Sequence, residues 1–274
     1  MGSRLRPKMI NLSMDIEDVY GDATVLNDLL KELIVFLIGH EMPCDLYVSG
    51  IRLDTLDWLN DFLAGPGAAD YIHIGYHSNT HSFKTVPEMS TLGIEGISSV
   101  EEKKFDFRSG VFLEEDGGIL RFRDLFRQSR CFRCPAFCWT VEYLSYMLSH
   151  NMLFSTMDIR RKAPFRFLSL TILPVCEKPL EAYSGFDGVK ADIEPYEAVS
   201  LYLHPARLIY DNFWDKSKTR QVYHDCRKRI DLLKKILLEL KNSFRMISIE
   251  DIRNYYRATD RKVPEAEKVL VRVR

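Results

Sequence analysis

Residues 71 to 82 read Tyr71-Ile-His-Ile-Gly-Tyr-His77-Ser-Asn-Thr-His81-Ser82. A short apolar strand breaks at Gly75, and two histidines four residues apart follow it. If the segment turns helically, His77 and His81 share one face, the spacing at which histidine pairs chelate zinc. Two ligands do not complete a metal site. Two histidines in a solvated loop remain the alternative unless the rest of the chain supplies a carboxylate or another nitrogen.

Similar short apolar runs recur on both sides of this stretch, separated by helical patterns. Met9 to Met14 precedes a helix expected from about Ala23 to Gly39, with Val25, Leu29, Leu30, Leu33 and Leu37 near the helical period. Cys44 to Gly50 precedes a second helix pattern, Leu53 to Leu63, which ends at Gly65-Pro66. Further strands are expected at Ser129–Phe132, Met152–Ser155, Leu168–Val175, Val199–Leu203 and Arg245–Ile247. The last follows an amphipathic helix with Cys226, Ile230, Leu233, Leu237 and Leu240 on one face. Such alternation predicts a parallel sheet with outer helices, either a barrel or a doubly wound sheet. Both place their sites beyond the C-terminal ends of the strands.

Composition bounds the function. The chain has 274 residues, 46% of them hydrophobic, enough for a substantial core. Its formal net charge of −1 gives no pointer to nucleic acid or to an anionic membrane. The longest apolar candidate, Leu29 to Ile38, contains Lys31 and Glu32 and is too short to span a bilayer, so no membrane segment is expected. No secretion signal is visible, and a cytoplasmic protein is the expectation. Met1-Gly2-Ser3 resembles a cloning remnant with Met9 as a candidate native start, which leaves room for a removed signal. The cluster Cys131-Phe-Arg-Cys134-Pro-Ala-Phe-Cys138 has no second Cys-x-x-Cys pair elsewhere, so reduced, mostly buried thiols are expected in preference to structural zinc.

The strand ends carry the chemistry. Asp15, Glu17 and Asp18 follow the first strand, His77 and His81 the third, Arg133 and Pro135 the fourth, and His204-Pro205 the strand Val199–Leu203. Each has a plainer explanation. The acids suit the start of a helix, His204 could be a hydrogen-bonded core histidine, and Arg133 an ion-pair partner. One shared site accounts for all of them together.

In this order, Leu12-Ser13-Met14-Asp15-Ile16-Glu17-Asp18, His77-Ser78-Asn79-Thr80-His81, Phe132-Arg133-Cys134-Pro135 and Leu201-Tyr202-Leu203-His204-Pro205 resemble the motifs of the polysaccharide deacetylases, carbohydrate esterase family 4. The resemblance implies a distorted (β/α) barrel of about seven parallel strands over residues 9–257, with the strand near Leu168 to Val175 as an extra. Residues 1–8 would be a remnant or flexible N-terminus and 258–274 a charged tail. It also implies roles. Asp15 is the catalytic base, and Glu17, His77 and His81 hold zinc or a similar divalent ion. Arg133 pairs with and tunes Asp15, the backbone N–H of Ala136 helps bind the oxyanion, and His204 is the general acid. The expected activity is metal-dependent removal of an N-acyl group, acetyl first, from an amino sugar or polysaccharide.

The chain departs from the family pattern at three places. Ile16 separates the two carboxylates that the family usually sets side by side. Asp18 occupies a glycine position and is the alternative ligand to Glu17. The family's fourth motif has no clear counterpart near Ser155-Thr-Met-Asp158. Relatives of the fold also include metal-independent amidases of small cyclic amides or ureides, and glycan-binding pseudoenzymes are a third class. Metal content separates the first from the second, and turnover separates an enzyme from a pseudoenzyme.

Overall fold

The computed structural model describes residues 8–17, 23–79, 83–84, 98–99, 105–106, 111–137, 141–158, 162–167, 169–211, 220–221 and 223–252. Seven parallel strands form the frame: β1 (Met9–Ile16), β2 (Cys44–Val48), β3 (Ile72–Tyr76), β4 (Cys131–Phe132), β5 (Phe154–Asp158), β7 (Leu170–Pro174) and β8 (Ala198–Leu203). Two more strands attach to it, β6 (Phe165–Phe167), antiparallel on β7, and β9 (Arg245–Ile247), parallel to the start of β1. The sheet runs in the order β6-β7-β5-β4-β3-β2-β1-β8.

Its two ends meet. Val175, just past β7, forms a single parallel bridge to Ser200 of β8, and the Cys176 N–H donates to the Ser200 carbonyl at 2.9 Å. Pro174 has no N–H to give to a ladder, and the register with β5 shifts between Leu173 and Pro174. The barrel therefore closes through one bridge where a full ladder would need more donors, and it is distorted at that seam. Leu168 to Val175 contains a frame strand, β7. The supernumerary strands are β6 and β9.

Strand alternation explains the sequence of β1. Ile10, Leu12, Met14 and Ile16 belong to the main core between sheet and helices, whereas Asn11, Ser13 and Asp15 alternate with them and are equally buried. Polar residues at every second position here mark the inside of a barrel. In β8, Val199, Leu201 and Leu203 join the main core, with Ser200 and Tyr202 on the other face. A second, smaller cluster of Met9, Tyr47, Cys131, Phe154, Leu173 and Ala198 fills the barrel floor, together with Ile247, Ile249 and Ile252.

Helix α1 (Ala23–Gly39) and the helix Tyr223–Ser243 lie where the periodicity predicts them. In α1, Leu26, Leu29, Leu30, Leu33, Ile34 and Leu37 are buried. The pattern from Leu53 to Leu63 is not one helix. A 3-10 turn, Gly50–Thr55, ends at Leu56, and α2 (Asp57–Leu63) starts after it. Asn27 Nδ2 donates to the Thr55 carbonyl at 2.9 Å at this break. Among the described residues, no helix is long and apolar enough to cross a membrane.

Cys131 and Cys134 belong to different clusters, the barrel floor and the main core. They thus pack on opposite sides of the sheet and do not form a common ligand pair. Cys44, Cys131, Cys134 and Cys176 are buried free thiols and Cys226 is a half-buried one.

Candidate active site

Because the seven strands are parallel, their C-terminal ends share one rim, and that rim gathers Asp15, Glu17, His77, Arg133 and His204. Asp15 is the penultimate residue of β1 and Glu17 follows its end. Two residues along a strand face the same way, so the intervening Ile16 turns outward to the core and the two carboxylates point into the mouth. Both are 5% exposed.

His77 follows β3 directly. Its Nδ1 donates to the Arg133 carbonyl at 3.0 Å, since a carbonyl only accepts. In the neutral ring the lone pair then lies on Nε2, and that nitrogen faces Glu17 Oε1 at 3.4 Å. One potential ligand atom from each of Asp15, Glu17 and His77 lies within 4.8 Å of the others. The helical turn that would align His77 with His81 is broken at once: Ser78 has φ +62°, in the left-handed region. His81 and Asp18 lie outside the described residues.

The loop carrying His77 is pinned from below. Gly50 and Ile51 N–H groups donate to the carbonyls of Ser78 and Asn79 at 2.8 and 3.0 Å. The Asn79 side chain packs against both Gly50 and Gly118, where any Cβ would overlap it.

Arg133, the largest fully buried side chain among the described residues, crosses the barrel interior. Nη1 donates to Asp15 Oδ1 at 2.5 Å, Nη2 to Ser13 Oγ at 2.7 Å and Ser200 Oγ at 3.2 Å, and Nε to Thr156 Oγ1 at 2.8 Å. Its planar face rests 4.3 Å over the Tyr47 ring. A buried guanidinium is tolerable only with such a complete set of acceptors.

His204 closes the opposite side. Its Nε2 stands 3.7 Å from Glu17 Oε1 and 3.9 Å from Asp15 Oδ2. Its Nδ1 lies 2.8 Å from Glu181 Oε1, and its backbone N–H donates to Glu181 Oε2 at 3.3 Å. Burial by itself would lower the His204 pKa. The hydrogen bond that His204 donates to Glu181 and the charges of Glu17, Glu181 and Asp15 outweigh it and raise the pKa above 6.5. The Tyr202 ring meets the imidazole edge-on at 5.4 Å.

Ala136 belongs to the short 3-10 turn Pro135–Phe137, which begins two residues after Arg133. Glu181, Ser13, Ser200 and Thr156 were not anticipated. Glu181 sits in the turn that follows β7, and inspection of that strand's end would have pointed toward it. The two serines and the threonine carry no motif, because their role is set by strand parity inside the barrel.

No family model and no curated protein sequence matches this chain. Solved structures do. A Mycobacterium smegmatis protein assigned as a polysaccharide deacetylase is similar with a TM-score of 0.59 at 14% identity, covering 97% of this chain and 96% of that one. PuuE allantoinase has a TM-score of 0.57 at 10% identity, covering 92% and 90%. A CE4 family pseudoenzyme from Bacillus anthracis has a TM-score of 0.51 at 12% identity, covering 90% and 65%. The chain thus has the α/β fold of the polysaccharide deacetylases, and at these identities it is the fold that is shared.

Proposed function

We propose that this protein is a metal-dependent hydrolase that removes an N-acyl group, acetyl first, from an amino sugar. The observation that carries the reading is the buried Asp15–Glu17–His77 cluster, with Arg133 on Asp15 and His204 facing both carboxylates.

The donor set suits a divalent ion such as zinc. His77 turns Nε2 toward Glu17, and its Nδ1 is anchored on a carbonyl, the arrangement that fixes a ligating imidazole. Glu17, His77 and His81 would hold the ion, with Asp18 as the alternative to Glu17. When bound, it lowers the pKa of a water toward about 7 and polarises the amide carbonyl.

The protein's own groups do the rest. Asp15, held by Arg133 Nη1, accepts the proton of the attacking water. The backbone N–H of Ala136 donates to the oxygen on which negative charge develops. His204 gives a proton to the leaving amine from Nε2, while Glu181 holds its other nitrogen. Bond cleavage releases the carboxylic acid and the free amino sugar.

Elemental analysis of the purified protein before and after chelation, beside acetate and formate release from N-acyl sugars, tests this. One divalent ion per chain, and turnover lost on chelation and restored by zinc, are the expected results. Full turnover in metal-free protein would overturn the metal-dependent reading and favour the ureide amidase that the allantoinase fold suggests. Bound metal and glycan without turnover would favour a pseudoenzyme.

A further inference from the structure

Below Asp15 the barrel interior carries a continuous hydrogen-bonded chain that reaches the floor. Arg133 Nη2 contacts Ser200 Oγ, Ser200 Oγ donates to Asn11 Oδ1 at 2.8 Å, and Asn11 Nδ2 donates to Asp45 Oδ2 at 2.5 Å. The Ile249 N–H also donates to Asp45 Oδ2, at 3.0 Å. Asn11, Ser13, Asp45, Arg133 and Ser200 are all 0% exposed.

The two ends of this chain fix its direction. A guanidinium only donates, and a carboxylate only accepts. Asp45 therefore requires the N–H₂ of Asn11, which turns the Asn11 oxygen toward Ser200. Ser200 has one hydrogen and spends it on that oxygen. What it offers Arg133 is then a lone pair. Were the Asn11 amide reversed, its oxygen would face the Asp45 carboxylate, and the Ser200 hydrogen would have to leave Asn11 for Ser13 Oγ, 3.1 Å away. Burying this many polar groups is costly unless each is satisfied, and the apolar residues around the floor show that the barrel can be filled without them.

We infer that Asn11 and Asp45 are positioning residues for the active site: through Ser200 they hold the Arg133 guanidinium in the orientation that places Nη1 on Asp15. Neither touches the reacting atoms. The inference rests on the reading of Asp15 as the base, and it makes a remote buried pair part of the base's alignment. Misplacement of such a group by less than an ångström affects turnover more than substrate binding.

The test uses the full chain with ¹⁵N-arginine. Guanidinium signals of Arg133, assigned by their absence in Arg133→Lys, should exchange slowly with water in the native protein. In Ser200→Ala and in Asn11→Ala, exchange at Nη2 should accelerate at least about tenfold while unfolding stays cooperative. In the zinc-loaded enzyme kcat should fall about ten- to a hundredfold in both variants, with KM and zinc content unchanged. Introducing Asn11→Ala into Arg133→Lys should lower kcat no further, because the group it acts through is gone. Unchanged Arg133 exchange in folded Ser200→Ala, or an equal drop in both backgrounds, would overturn the inference. Should Asn11→Ala not fold, Ser200→Ala decides alone. Exchange is read whether or not the protein turns over: protection lost in Ser200→Ala, beside a protected wild type that shows no hydrolase activity, keeps the positioning chain and rejects the proposed function.

Discussion

Glu181 grips His204 at two points, with one carboxylate oxygen 2.8 Å from Nδ1 and the other accepting the backbone N–H at 3.3 Å. The imidazole thus has one nitrogen committed and the other turned to Asp15 and Glu17. Glu181→Gln keeps the shape but removes the charge that stabilises a protonated ring. Turnover should fall about ten- to a hundredfold, as for other groups that orient a catalytic or ligating histidine. Zinc content should stay at the wild-type level. Steady-state kinetics beside metal analysis check this, and wild-type kcat in the variant would remove Glu181 from the mechanism.

The acidic pair should separate into two roles. Asp15→Asn takes the charge from the partner of a fully buried arginine, and about 1.5–3 kcal/mol of stability should go with it. Turnover should vanish while metal remains. Glu17→Gln should instead weaken metal binding, as should His77→Ala, because a site with one protein ligand fewer holds its ion less tightly. Chemical unfolding and metal titration on the same preparations distinguish the cases. Metal lost from Asp18→Asn but retained by Glu17→Gln would mean the ligand at the end of β1 has been misassigned.

Much of this frame was legible in the sequence, for reasons particular residues make plain. The seven frame strands announce themselves as short apolar runs, and the rule that parallel strands place chemistry at their C-terminal ends brings Asp15, Glu17, His77, Arg133 and His204 onto one rim. What the pattern does not carry is closure. Whether β7 meets β8 depends on a bridge from Val175 to Ser200 and on Pro174, a long-range event with no local signature. Asn11 and Ser13 alternate with apolar residues just as a half-exposed strand would, and only the curled sheet turns that polar face inward. Glu181 is distant from His204 in sequence, so the turn after β7 had to be placed before their pairing was visible.

Gly75 is a position where a side chain has no room. A Cβ there would stand 2.6 Å from the Tyr47 ring and 3.3 Å from the Cys131 carbonyl, and that ring supports Arg133. Gly75→Ala should destabilise the fold by about 1–3 kcal/mol through overpacking, and it should reduce turnover because the guanidinium is displaced. Gly117, in the helix Leu113–Leu125, is the contrast, with nothing within 4 Å of its added Cβ. Gly117→Ala should be neutral or gain up to about 1 kcal/mol from helix propensity. The urea midpoint should fall in Gly75→Ala and hold or rise in Gly117→Ala, and parallel losses would show that backbone freedom, not space, is what both glycines provide.

Asp45 should leave a mark on the pH dependence of stability. Burial raises its pKa from 3.8 to about 6, although His73, Asn11, the Ile249 N–H and Arg133 all pull the other way. Between those two values the folded chain binds a proton that the unfolded chain has released. Protonation therefore favours the fold, and stability contributed by this group falls as pH rises from about 4 through 6. With about 1.4 kcal/mol per pKa unit, the loss is on the order of 3 kcal/mol by neutral pH. Other carboxylates change over the same range, so the difference between wild type and Asp45→Asn isolates the effect. The asparagine can still accept from Asn11 and Ile249 through its oxygen, and it carries no charge at any pH. Its stability relative to wild type should rise by about 3 kcal/mol between pH 4 and pH 7 in urea unfolding. Unfolding curves that stay parallel across that range would mean Asp45 does not change its protonation on folding.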